Sequence, residues 1–222
     1  MLKLSSGHSE KDRISFYSCD NCATAILCEN GKIHVEFSKK NVSTNKYILT
    51  FLGIFGILSF FKALVLIPLI KFNTIKKIWY LVPAFYYCVI TLLGIIDIRK
   101  NGGQELLRNH GAEHKVFAAY KKLGRIPTFK EANKFSRINN SCGITIFSAF
   151  ITSQILGFIV YINTSFIIPE ILLFLIPLFF QKAFPFNFIG KIGQFFTTSK
   201  PQKQNIELAI VALSELERRE FS

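Results

Sequence analysis

Four long apolar stretches separated by basic segments limit this chain more than any other feature of its sequence. They run Ile48 to Ile70, Ile78 to Ile96, Ile144 to Ile162 and roughly Phe166 to Phe188. A helix needs about 20 apolar residues to cross a bilayer core, and each stretch is close to that length. Half of the 222 residues are hydrophobic, 24 are Phe and 18% are charged, which is little polar surface for a dispersed globule of this size. The pattern predicts an all-α integral membrane protein with about four transmembrane helices and a small N-terminal cytoplasmic β-hairpin. The second stretch is uncharged and places Trp79, Tyr80, Tyr86 and Tyr87 where an interface would take them. The third reads as a plain spanning helix. The first contains Lys62, which near mid-span costs roughly 3 kcal/mol on an insertion scale. That stretch therefore either lies along the interface or turns Lys62 into a bundle. Glu170, Lys182 and three prolines interrupt the fourth.

Lys and Arg positions set the expected orientation. Of 27, seven precede the first stretch, ten lie between Arg99 and Arg137, and five follow Phe188. Both termini and the middle loop are then cytoplasmic, in a multi-pass protein of the cell membrane. The expected organisation is a cytoplasmic segment over 1–46, membrane helices one and two over 47–97, and a cytoplasmic helical loop over 98–142. Membrane helices three and four follow over 143–190, and an amphipathic cytoplasmic helix over 191–222. Met1 to Lys46 is polar throughout, so no cleavable signal peptide is expected. The net charge of +13 reads as a topology signal and an attraction to anionic lipid. Expected partners are the lipid bilayer and a membrane protein or a second copy of the chain. No nucleic acid is expected, because the basic residues form no basic-aromatic recognition motif.

In the N-terminal segment, Ala23 to Cys28 and Lys32 to Ser38 flank Glu29-Asn30-Gly31, a hairpin signal suited to a type I′ turn. Alternation puts Ile33, Val35 and Phe37 on one face and His34 and Glu36 on the other. In the middle loop, a helix from about Gln104 to Leu123 ends at Gly124, a residue type favoured just past a helix end. Thr128 and Glu131 then have capping-box spacing for a short helix ending near Arg137. Asn205 to Glu220 carries the stripe Ile206, Ala209, Ile210 and Leu213.

The densest chemical signal is His110-Gly111-Ala112-Glu113-His114, which holds two of the four histidines. Four residues of helix bring His110 and His114 to one face, with Glu113 to the side. Two neutral imidazoles a turn apart can grip Zn²⁺, and a nearby carboxylate can act as general base. This spacing occurs among zinc hydrolases. The bland alternative is a helix whose histidines and Glu113 satisfy one another and nearby backbone. A third donor is needed, and Cys142 at the end of the same loop is the natural one; its own bland reading is a small apolar residue at a helix start. Cys19 and Cys22 form a single Cys-x-x-Cys, with Cys28 near, that suits free thiols better than structural metal, although His8 could complete four ligands. Five cysteines are an odd count, and disulfides are not expected in a reducing compartment.

His110 to Lys115, followed by Lys134-Phe135-Ser136-Arg137 and Cys142-Gly143, resembles the YqhQ-like family, bacterial membrane proteins of unknown function regarded as metal-dependent enzymes. Gln194, Thr197-Thr198, Pro201 and Ile206 to Ile210 resemble that family's closing Gln-x-x-Thr-Thr and Pro segment with the helix that follows it. Gly7, His8 and Asp12 stand where its N-terminal motif would be. The resemblance implies that His110, Glu113, His114 and Cys142 are metal and catalytic positions. Where the family carries His-Pro-Arg, this chain has Asn139-Asn140-Ser141. Together these readings predict a Zn²⁺-dependent hydrolase with His110, His114 and Cys142 as ligands and Glu113 as general base. The alternative is a non-enzymatic membrane scaffold or partner subunit that docks through the basic loop and the C-terminal helix.

Overall fold

The computed structural model describes residues 2–39, 89, 92, 93, 96, 100, 103–139, 142–164, 170–180 and 183–222. The chain divides into two compact units. One comprises Met1–Lys40, Gly94–Asn139 and Gln194–Ser222, the other Asn41–Leu93 and Asn140–Gly193. Four strands, β1 (Ser6–Ser9), β2 (Arg13–Tyr17), β3 (Asn21–Leu27) and β4 (Ile33–Lys39), pair in chain order as an antiparallel meander. The described helices are α1 (Gly103–Leu123), α2 (Phe129–Asn133), α3 (Gly143–Thr164), α4 (Glu170–Phe180), α5 (Phe186–Thr197) and α6 (Lys203–Glu220).

The expected hairpin is present as β3 and β4, with a different turn. The Gly31 N–H donates to the Cys28 carbonyl at 2.9 Å, so the tight turn is Cys28 to Gly31 rather than one centred on Asn30-Gly31. Gly31 takes the left-handed backbone at φ +77°, which glycine adopts without a Cβ penalty. Cross-strand partners Ile14–Ala25, Phe16–Ala23, Ala25–Val35 and Ala23–Phe37 gather apolar side chains on one face. His34 and Glu36 are exposed on the other face, as the alternation predicts.

Helix α6 lies on the apolar face against β2 and β3, and also packs on α1. It buries Ile206, Leu208, Ala209, Ala212, Leu213 and Leu216, each large aliphatic contributing about 1.5–3 kcal/mol. Ile14, Phe16, Ala23 and Ala25 have no exposed surface; the small Ala23 and Ala25 leave the space that the helix occupies. Tyr120 ties the pieces together. Its hydroxyl donates to Glu217 Oε1 at 2.7 Å and accepts the Leu2 N–H at 3.0 Å. Helix α1 ends as expected at Gly124, φ +70°, whose N–H reaches the Tyr120 carbonyl at 2.9 Å. Thr128 and Glu131 form the expected capping box, although α2 stops at Asn133.

The expectation of an all-α integral membrane protein is corrected. The first unit is built on a four-stranded sheet, and no helix among the described residues is long and apolar enough to cross a membrane. The first apolar stretch and most of the second lie outside the described residues. In the third, α3 buries Thr145, Ser148, Thr152, Ser153 and Gln154, and the Ser153 hydroxyl donates to the Leu173 carbonyl of α4 at 2.7 Å. That is the polar stripe of a helix packed on protein. In the fourth, a turn at Ala183–Pro185 leads into α5. The multi-pass localisation with both termini cytoplasmic is likewise corrected, because no helix among the described residues is long and apolar enough to cross a membrane.

The close fit of α6 on β3 gives a stability prediction. Ala25→Leu should lower urea-unfolding stability by about 1–3 kcal/mol through overpacking, with Glu36→Gln within about 0.5 kcal/mol of wild type. Equal midpoints for all three proteins would contradict this packing.

Candidate metal centre

Helix α1 brings the His110 and His114 rings to a centroid separation of 4.4 Å at 65°. Each ring is held by a backbone carbonyl: Nδ1 of His110 is 2.9 Å from the Thr197 oxygen, and Nδ1 of His114 is 2.6 Å from the Arg137 oxygen. A carbonyl only accepts, so each Nδ1 carries the proton and each Nε2 carries the lone pair of the neutral ring. Burial pushes the His114 pKa down to about 4, with His110 adding to the effect. Burial also lowers His110, and the nearby His8 does so further, against the opposing bond to Thr197. Both rings are therefore neutral at pH 7, the state that ligates metal. His110 and His114 belong to the first unit and Cys142 to the second; the three form a possible metal-binding group among the described residues.

The local sequence explains how the two carbonyls arrive. A Cβ at Gly111 would overlap the Ser199 carbonyl, so only glycine lets the segment after α5 lie directly on the helix. The Ser199 N–H donates to the Leu107 carbonyl at 2.8 Å, and this seats Thr197 over His110. On the other side, Lys115 Nζ donates to the Asn133 and Phe135 carbonyls, both at 2.7 Å. It draws the end of α2 onto α1 and carries Arg137 to His114. The Lys115 pKa is lowered by burial and by Lys200 and Arg137. The buried amide of Gln194 makes two 2.7 Å bonds with the backbone of Asn139.

Glu113 faces β1. Its carboxyl fills the space where a Cβ at Gly7 would stand, and it is 7% exposed. Burial raises its pKa to about 7, and a bond with Ser9 opposes the rise. The β1–β2 turn is pinned above it by Asn109, which donates to the Glu10 and Lys11 carbonyls at 2.9 and 3.1 Å. Asn205 closes this network with bonds of 2.8 Å to Asn109 and 3.0 Å to Glu105. Sequence reasoning missed Ser9, Asn109 and Asn205; an asparagine on the apolar side of α1 was the available signal. His8 is exposed on β1, with Nε2 3.4 Å from Glu10. Cys19 is exposed, Cys28 half-buried and Cys22 buried, all free thiols. Among the described residues these cysteines belong to no group of three metal-compatible donors.

The first unit is a mixed α/β fold that carries two ring-oriented histidines, His110 and His114, on α1. Over residues 16–187 the chain matches the family described as protein of unknown function (DUF1385), and it belongs to that family. Neither a curated protein nor a solved structure matches it.

The buried Glu113 gives a pH prediction. Its folded-state pKa of about 7 stands above the ordinary 4.5. The native state thus keeps a proton that the unfolded chain releases, and the associated stability is complete below about pH 4.5 and lost as pH rises through about 7. In chelator-treated protein, the stability difference between wild type and Glu113→Gln should shift by roughly 3 kcal/mol against wild type from pH 4.5 to pH 8. A difference independent of pH would place the carboxyl in water.

Proposed function

We propose that His110, His114 and Cys142 hold a zinc ion and that the chain is a metal-dependent hydrolase. The observation that carries this reading is the pair of Nδ1 contacts to the Thr197 and Arg137 carbonyls, the arrangement typical of metal-ligating histidines. Two imidazoles and a thiolate match zinc in ligand type, and three protein donors are the usual complement of a catalytic rather than a structural zinc site. When bound, the ion supplies Lewis-acid polarisation of a carbonyl or phosphoryl oxygen. The chain's own part is to hold both rings neutral, in one tautomer and out of bulk water. Glu113, on the same helical turn as His114 and beside Ser9, is the carboxyl that takes and returns the proton. The resemblance to the YqhQ-like family supports the same four positions.

The alternative of a non-enzymatic scaffold rested partly on the C-terminal helix as a docking face. Helix α6 instead buries its apolar stripe against the sheet and α1, which favours the metal reading.

Zinc content by plasma mass spectrometry of zinc-loaded, desalted protein tests the proposal. Wild type should retain about one ion per chain, His110→Ala and His114→Ala close to none, and Cys142→Ser a reduced amount. Near-zero zinc in wild type, or equal zinc in all four proteins, would overturn it.

A further inference from the structure

We infer that Gln194 is a positioning residue of this centre, whose buried side-chain amide fixes the backbone at Asn139 and, through it, the Arg137 carbonyl that orients His114. The inference rests on the metal reading above. Gln194 has no exposed surface. Its Oε1 accepts the Asn139 N–H and its Nε2 donates to the Asn139 carbonyl, each at 2.7 Å. The side chain thus engages one residue from both sides of its α-carbon, as a neighbouring strand would, and fixes that residue's backbone position and direction.

Asn139 anchors the segment that supports His114. Two residues before it is Arg137, whose carbonyl holds His114. The other end of Gln194 serves the second ring. Its main-chain carbonyl accepts the Thr198 hydroxyl at 2.8 Å, bracing the turn from which Thr197 offers its carbonyl to His110. The residue therefore joins the Thr197 support to the Arg137 support. A buried amide has a desolvation cost that a methionine of similar volume avoids. Exact placement of backbone is what the amide adds, and a shared metal site needs that placement.

Cobalt(II) titration of the full chain tests this, because a thiolate ligand gives cobalt a near-ultraviolet charge-transfer band that reports the sulfur directly. Wild type should bind cobalt with that band. Gln194→Met, which keeps volume and removes both bonds, should bind 10–100-fold more weakly, the usual loss when support for a ligand is removed. Its thiolate band should be diminished while the far-ultraviolet circular dichroism is unchanged. Gln194→Glu, which keeps the acceptor and loses the donor, should fall between the two, and it decides the matter if the Met variant does not fold. A Met or Glu variant equal to wild type in affinity and band would overturn the role of Gln194 and leave the centre standing. Wild type without cobalt binding would overturn the centre itself.

Discussion

Two Nδ1–H to carbonyl contacts, from His110 to Thr197 and from His114 to Arg137, govern the rest of the site, because a neutral imidazole with Nδ1 occupied presents its lone pair only at Nε2. The carbonyls come from 87 and 23 residues away in the chain, so neither is a local consequence of the helix. Each is delivered by a specific fit. Gly111 lets the Ser199 carbonyl lie on α1, and Lys115 gathers the carbonyls that end α2. Removing a Cβ at one point and adding a cation at another brings distant backbone to the two rings.

Burial makes this arrangement electrostatically distinct. Desolvation holds both histidines neutral and Glu113 near its titration point at neutral pH, so the face of α1 toward β1 and the loops carries groups shifted in opposite directions by one cause. The asparagine pair Asn109 and Asn205 keeps that environment closed. Satisfied by one another, by Glu105 and by two backbone carbonyls, they hold the β1–β2 turn down without leaving buried polar groups unpaired.

What the sequence disclosed follows the range of the interactions involved. Helix period alone put His110 and His114 on one face, and local caps marked Gly124 and Thr128, because each depends on residues within one turn. The α6 stripe was legible for the same reason, although its partner was not. Strands β1 and β2 were missed because Ser6 to Ser9 has no apolar alternation and β2 shows only Ile14 and Phe16; their pairing is defined by β3. The orientation of Glu113 needs Gly7 and Ser9, about a hundred residues earlier. The membrane expectation failed because hydropathy counts apolar residues without seeing what they face. In α3 the same run that reads as a span sets Thr145, Ser148, Thr152, Ser153 and Gln154 into buried positions, and Ala183–Pro185 breaks the fourth stretch.

Zinc K-edge absorption fine structure of the zinc-loaded chain tests the central claim most directly. The account predicts two nitrogen scatterers with imidazole outer-shell features at about 2.0–2.1 Å and one sulfur at about 2.3 Å. A shell of light atoms without sulfur and without the imidazole pattern would contradict it.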